Sequence, residues 1–267
     1  MKAPETSWAK AAAAAHVSIP YGRLLKEFLP LVVSRKRNVE VGLDSNALDD
    51  YPLSDFRKTA ALFSRHGISC TLHAPFIDLS PGAQDRAILT ATRERFRQFA
   101  GVARLFDPLC VVVHTGWDRK HYGYVEKEWM DTATATLEKL TVSLAETTRA
   151  FVALENVYEK TPKVLLELLR RINHKRLGFC LDTGHVNTFS GTPLDQWLAA
   201  LGPKIREIHL HDNTGEDDHH LAPGRGSIDF APLVSFMKGR PSDIIITLEV
   251  HTPDGVVGGL EFINRNF

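Results

Sequence analysis

Six residues of the types that bind metal ions each follow a short apolar run, in one order along the chain. They are His73, His114, Glu155, Asp182, His209 and Glu249, and 27 to 41 residues separate each from the next. This spacing fits a repeated unit of strand, loop and helix. If the apolar runs are parallel strands, the six side chains meet at one end of a sheet. Burying so many polar and charged groups together is costly unless a cation binds them, so the pattern predicts a metal site.

Each of these residues also has a simpler interpretation. A single histidine at a strand end is more often structural than a ligand, and Glu155 or Asp182 alone could cap a helix or pair with an arginine. The recurrence of ligand types at the same place in successive units favours the metal site. His209 and His211 alternate with Leu210, so both imidazoles face the same side of a strand. Spacing alone allows either to be the ligand.

The order of apolar runs and amphipathic stretches predicts an α/β fold. We expect strands near 12–19, 38–43, 68–73, 109–114, 151–155, 177–182, 205–210 and 243–249, and helices at 21–36, 54–66, 84–106, 123–148, 161–173, 193–201 and 229–238. Eight such units without a change in composition predict one domain over residues 1–267, folded as a single (β/α)₈ TIM barrel. A doubly wound open sheet is the alternative, but no Gly-x-Gly-x-x-Gly follows the first strand.

Composition limits the classes of partner. Lys plus Arg equals Asp plus Glu, 32 against 32, which argues against DNA as the main partner without excluding it. The three cysteines lie inside apolar runs and are expected to be buried thiols in a reducing compartment. We find neither a convincing targeting segment nor a membrane span, and we expect a cytoplasmic protein. The sequence does not indicate an oligomeric state.

Motifs along most of the chain resemble one known superfamily. They are His73-Ala74-Pro75-Phe76, Val113-His114-Thr115-Gly116, Leu154-Glu155-Asn156, Leu181-Asp182-Thr183-Gly184-His185, His209-Leu210-His211-Asp212, Asp218-His219-His220-Leu221 with Gly224-Arg225-Gly226, and Leu248-Glu249. Together they resemble the xylose isomerase-like TIM-barrel superfamily, especially its AP endonuclease family 2 branch, which includes endonuclease IV. The glycine-rich segment that follows His-Val-Ser in those endonucleases is replaced here by Ile19-Pro20-Tyr21-Gly22.

The resemblance implies divalent metal ions, with zinc expected, up to three ions, and manganese, magnesium or cobalt as alternatives. The nine residues that match the endonuclease IV-like ligands are His73, His114, Glu155, Asp182, His185, His209, Asp218, His220 and Glu249. Matching the family's Gly-x-Gly to residues 224–226 selects Asp218 and His220 and leaves Asp217 and His219 as the alternative register. Isomerases and epimerases of the superfamily usually bind one ion, through positions that match Glu155, Asp182, His209 and Glu249.

Two reactions are compatible with these residues. We favour hydrolysis of a phosphodiester in a small nucleotide-like or sugar-phosphate-like substrate, because a single-ion enzyme does not need all nine ligands. The alternative is a mononuclear metal-dependent sugar or sugar-phosphate isomerase or epimerase. The expected catalytic residues are Glu155, Glu249 and His185. The expected substrate contacts are His16, Phe76, Lys120 and Arg225.

Overall fold

Eight parallel strands pair in chain order and close into a barrel. The computed structural model describes residues 7–238 and 243–267. The strands are β1 (His16–Pro20), β2 (Val39–Gly42), β3 (Cys70–His73), β4 (Cys110–His114), β5 (Phe151–Glu155), β6 (Leu177–Asp182), β7 (Ile205–Leu210) and β8 (Ile245–Leu248). Strand β1 pairs with both β2 and β8, which closes the sheet. The (β/α)₈ barrel predicted from the sequence is confirmed.

Helices follow the strands and cover the outside of the barrel. They are α1 (Ser7–Ala14), α2 (Tyr21–Arg23), α3 (Leu29–Arg35), α4 (Ser45–Asp50), α5 (Leu53–His66), α6 (Arg86–Phe106), α7 (Arg119–Tyr122), α8 (Glu126–Thr147), α9 (Lys163–Ile172), α10 (Thr183–Phe189), α11 (Leu194–Leu201), α12 (Ala231–Met237) and α13 (Pro253–Asn266). A π-helical turn (Leu24–Phe28) joins α2 to α3. Among the described residues, none of the helices has the length and apolar character needed to span a bilayer.

The first strand begins later than the sequence predicts. Residues 12–14 end helix α1, and β1 starts only at His16. Alanine has the highest helix propensity of any residue, and the alanine run gains further stability where α1 packs against α13. The sequence pattern does not predict helix α13. This helix begins at a cap in which the Thr252 side chain accepts a hydrogen bond from the Gly255 N–H.

The protein has two apolar regions of different character. Large side chains such as Trp129, Trp197 and Phe99 fill the space around and outside the sheet. A separate cluster contains only small buried residues, namely Cys110, Val112, Ala153 and Cys180. All three cysteines are buried free thiols, as predicted. The small side chains belong to neighbouring strands β4, β5 and β6, and they leave room for buried polar groups beneath the strand ends.

Candidate metal centre

The predicted ligands gather at the carboxyl-terminal end of the barrel. His73, His114, Glu155 and Asp182 are the last residues of β3 to β6, His209 is the penultimate residue of β7, and Glu249 directly follows β8. The register of the paired strands then determines which of these ligands are neighbours. His114 lies directly opposite Glu155, and Asp182 lies opposite His209. Paired parallel strands lie about 4.8 Å apart, so the register alone brings these side chains within reach of a shared ion.

The first ligand group consists of His73, His114 and Glu155. The Nε2 atoms of both histidines lie 3.1 Å from Glu155 Oε2. His73 Nδ1 donates to the Ala74 carbonyl at 2.9 Å, and this bond fixes the orientation of its ring. Phe76 stacks on the His114 ring with centroids 4.2 Å apart. Backbone and aromatic contacts therefore hold both imidazoles with their Nε2 atoms toward the carboxylate.

The second ligand group consists of Glu155, Asp182, His209 and Glu249, with ligand atoms within 4.8 Å of one another. His209 Nδ1 lies 3.2 Å from Glu249 Oε2, 3.6 Å from Glu155 Oε1 and 3.8 Å from Asp182 Oδ2. This nitrogen is buried and makes no hydrogen bond of good geometry. A buried, unsatisfied ligand atom facing three carboxylates fits a bound cation.

The third ligand group consists of His211, Asp218 and His220. Asp218 Oδ2 lies 3.0 Å from His220 Nε2 and 3.3 Å from His185 Nε2. His211 Nδ1 lies 3.8 Å from Asp218 Oδ1, and both atoms are buried without a hydrogen-bond partner. His211 Nε2 is 3.0 Å from either carboxylate oxygen of Asp182. His211 therefore belongs to this group, whereas the predicted ligand His185 lies outside the group and contacts its Asp218.

In the acidic loop, the side chains of Asp218 and His220 reach the third ligand group, and those of Asp217 and His219 do not. His219 is exposed, and the Asp217 side chain accepts a hydrogen bond from the Asp218 N–H.

His211 packs closely against helix α10. A Cβ on Gly184 would lie only 2.0 Å from the His211 ring. Glycine at this position therefore allows the His211 ring to approach helix α10.

The electrostatics of the centre keep Glu155 and Glu249 ionised. Burial favours the protonated form of Glu155, but the charges of His114 and His209 hold the pKa of this carboxyl well below its usual range. Burial acts the same way on Glu249, and again His209 lowers the pKa well below the usual range. Burial lowers the pKa of His185, but the Asp182 charge and the Asp218 hydrogen bond raise it well above its usual value.

A layer of buried acids that sequence reasoning missed lies beneath the ligands. Glu40 Oε2 lies 3.2 Å from His209 Nε2, and both side chains are fully buried. The Thr71 hydroxyl lies within hydrogen-bond reach of Glu40 and Glu207, at 3.4 Å and 3.1 Å. A carboxylate behind a histidine fixes the ring so that the other nitrogen faces the metal. Alternation could have revealed Glu207, because it lies two residues before His209 on the same strand.

Side chains in the loops fix the ends of neighbouring strands. The Asn156 amide donates to the Asp182 carbonyl at 3.0 Å and accepts the Asp182 N–H at 2.9 Å. Glu159 is buried, and it accepts hydrogen bonds from the Thr115 hydroxyl and the Val157 N–H. These bonds tie the loops after β4, β5 and β6 together and limit the movement of Glu155.

The loop after β7 is organised by one carboxylate. Asp212 accepts backbone N–H groups from Gly224 and Gly226 at 2.9 Å and from Ile228 at 3.2 Å. A Cβ on Gly226 would come within 2.4 Å of this carboxylate. The Gly-x-Gly motif thus folds the loop that carries Asp218 and His220.

A cavity of about 800 Å³ opens above the ligands. Phe76 lines it, as predicted for a substrate contact, and so do His73, His114, Glu155, His185, Asp218, His220 and Glu249. Lys120 and Arg225 are exposed and lie outside its lining. His16 starts β1 at the other end of the barrel. It hydrogen-bonds Ser69, and burial lowers its pKa to about 4. His16 therefore lies away from the cavity, whereas Lys120 and Arg225 as substrate contacts stay predictions.

Comparison with known proteins identifies the family. A family model for the xylose isomerase-like TIM barrel matches residues 37–266. The chain belongs to this family. The match begins just before β2 and extends through α13, so it covers every strand that carries a candidate ligand of this xylose isomerase-like barrel.

The chain is also similar to individual known proteins. The chain is 34% identical to the uncharacterized protein MJ1311 of Methanocaldococcus jannaschii over 70% of this chain and 66% of that protein. A solved D-tagatose 3-epimerase-like protein superposes with a TM-score of 0.79 at 25% identity, covering 94% of this chain and 96% of that one. The TTHB071 protein of Thermus thermophilus, soaked with ZnCl₂, gives 0.77 at 25% identity, covering 94% and 97%.

The contact between Glu40 and His209 predicts an effect on metal affinity. Glu40→Leu should weaken zinc binding about 10- to 100-fold, because His209 loses the acceptor that fixes its ring. Glu40→Gln keeps an oxygen acceptor and should cost much less. Competition against a zinc-sensitive dye measures both affinities, and thermal melting checks the fold. Zinc binding by a folded Glu40→Leu variant at parental strength would contradict this role.

Zinc affinity should also rise with pH. Burial lowers the pKa of His73 and His220, but the hydrogen bonds to Glu155 and Asp218 raise both to about 9 in the metal-free protein. Zinc binds only the neutral ring, so binding must release protons below that pH. Affinity should increase by roughly tenfold per pH unit for each proton released between pH 6 and 9. Titration calorimetry in buffers of different ionisation enthalpy counts the protons, and a count of zero would refute the expectation.

Proposed function

We propose that this chain is a divalent-metal-dependent sugar epimerase or isomerase, the alternative in the sequence analysis. The observation that carries the proposal is the second ligand group, in which Glu155 and Glu249 share one cluster with Asp182 and His209. The D-tagatose 3-epimerase-like protein, which is similar over nearly the whole length of both chains, supports it. This reaction differs from phosphodiester hydrolysis, which the number of candidate ligands favoured in the sequence analysis.

The two glutamates are suited to moving a proton on and off carbon. The pKa of each carboxyl lies well below its usual range, so both are ionised at neutral pH and ready to accept a proton. Glu155 is fixed by His73 and His114, whereas Glu249 is about one-fifth exposed and faces the cavity. We assign one glutamate to remove the proton next to the substrate carbonyl. The other glutamate, which is also ionised, first takes a proton from solvent and then returns it to the carbon.

A divalent ion in the second ligand group would polarise the carbonyl and stabilise negative charge on its oxygen. Asp182, with no exposed surface, and His209, held by Glu40 from below, keep the carboxylates in a fixed arrangement. His185 lies at the cavity wall with its Nε2 atom 3.3 Å from Asp218. This position allows His185 to orient a substrate hydroxyl beside the glutamates.

A second candidate, multinuclear hydrolysis of a phosphodiester, is favoured by one observation. The first and third ligand groups could hold additional ions, which proton transfer at carbon does not require. The number of bound ions per chain distinguishes an epimerase from a phosphodiesterase only when proton exchange and phosphodiester cleavage are measured on the same protein.

Glu249→Gln should abolish proton exchange at carbon. In D₂O with zinc or manganese, the parent protein should introduce deuterium into D-tagatose or D-fructose, followed by NMR. The variant should be slower by about 10²- to 10⁴-fold, because an amide cannot accept the proton. Glu261→Gln, on the exposed face of α13, serves as the control. Measuring the metal bound by the variant shows whether it has lost only the base or also the ion. If a metal-loaded Glu249→Gln variant exchanged protons at the parental rate, Glu249 would not be the base.

His73→Ala distinguishes the two candidates. We expect the variant to bind less metal through the first ligand group but to keep carbon–hydrogen exchange within about an order of magnitude, because the second ligand group is intact. Bound metal is counted by mass spectrometry, and exchange is measured as above. If the parent protein cleaves bis(p-nitrophenyl) phosphate and His73→Ala loses that cleavage, with no exchange in either protein, hydrolysis is the function.

A further inference from the structure

The walls of the cavity differ from its floor. The floor carries the metal-ligand residues, whereas apolar and aromatic side chains stand at the mouth. Phe76, Ile77 and Tyr158 line the cavity and are 43%, 64% and 51% exposed. Large apolar side chains rarely remain this exposed together unless they contact a ligand or partner. The mouth therefore offers an apolar contact surface directly above a polar floor.

Apart from the candidate metal ligands, the charged residues in the described part of the cavity lining are all acidic. Among the described residues that line it there is neither a lysine nor an arginine. Four aspartates of the lining belong to none of the three ligand groups, namely Asp44, Asp78, Asp118 and Asp217. Asp44 and Asp118 accept backbone N–H groups at helix starts, at 2.6 Å and 2.8 Å, which fixes their positions.

This distribution selects against phosphate groups. Bound divalent ions would offset the carboxylates of the floor, but no lysine or arginine of the described lining would offset the aspartates of the rim. A phosphate ester carries about −1.5 to −2 charges near neutral pH. Bringing it past carboxylates of the same sign, between apolar walls of low dielectric, is unfavourable. A neutral sugar meets no such barrier, and an apolar substituent gains contact with Phe76 and Ile77.

We propose that the site takes an uncharged sugar derivative whose outer end carries an apolar or aromatic substituent, and that it discriminates against sugar phosphates. The sugar part of this assignment rests on the proposed function. The preference for an uncharged, apolar outer end rests on the cavity alone. Phe76, Ile77 and Tyr158 are the specificity-determining contacts.

Binding of three matched compounds tests the proposal. D-fructose, D-fructose 6-phosphate and 6-O-benzyl-D-fructose are titrated into the zinc-loaded full chain, and calorimetry gives each dissociation constant. The benzyl ether should bind about tenfold more tightly than D-fructose because it buries apolar surface. The phosphate should bind more weakly than D-fructose. Equal or tighter binding of the phosphate overturns the proposal.

Two substitutions at the mouth give a sharper result. Ile77→Lys supplies the missing cation and should strengthen binding of the phosphate by up to about fivefold. Leu31→Lys is the control, because Leu31 is 55% exposed on α3 and lies outside the cavity lining. Phe76→Ala should remove most of the advantage of the benzyl ether. If Ile77→Lys has no more effect than the control, the rim does not set the preference.

These measurements do not depend on turnover. If the order of affinities holds but none of the sugars exchanges a proton with solvent, the proposed function fails and the cavity's preference stands. If exchange occurs and the phosphate binds best, the proposed function stands and the inference fails.

Discussion

The structure depends on the burial of one carboxylate. Glu155 is 1% exposed, and its two oxygens face the imidazoles of His73, His114 and His185 at 3.1 to 3.2 Å. A buried charge is tolerated only where opposite charge or hydrogen bonds surround it. Those imidazoles come from β3, β4 and the helix after β6, which are neighbours in the sheet. The contact between Glu40 of β2 and His209 of β7 crosses the barrel, so the cluster as a whole depends on closure of the sheet.

A second layer of polar residues extends this network down the barrel axis. His209 links the layers, because its Nδ1 atom faces the ligands while its Nε2 atom faces Glu40. Burial and the charge of Glu40 raise the pKa of Glu207 to about 8, so Glu207 is protonated at neutral pH. Small side chains such as Cys180 and Ala153 leave the space that these acids occupy. The position of His209 is thus set from below as well as from the metal side.

The strand ends were predictable because each apolar run stops where the chain leaves the barrel, and the ligand types there repeat. The first strand was misplaced, since an alanine run is compatible with either a strand or a helix until packing against α13 decides. Spacing left His209 and His211 as alternatives, and Glu40 was missed, because inward orientation and strand register determine the roles of these residues. The substrate contacts expected of His16, Lys120 and Arg225 rested on residue type alone. Residue type does not tell where a side chain lies relative to the cavity, and none of the three is among its lining residues.

The metal ligands and the cavity walls carry different information about the reaction. Imidazoles and carboxylates specify divalent ions, and the same ions can activate water or polarise a carbonyl. A phosphodiester brings negative charge wherever it binds, so an enzyme for it benefits from arginine or lysine beside the ions. Here the described residues that line the cavity include neither arginine nor lysine, and its rim carries aspartates such as Asp78 and Asp217 together with Phe76 and Ile77. The walls therefore favour chemistry at carbon in a neutral substrate, although the number of ligands by itself would favour hydrolysis.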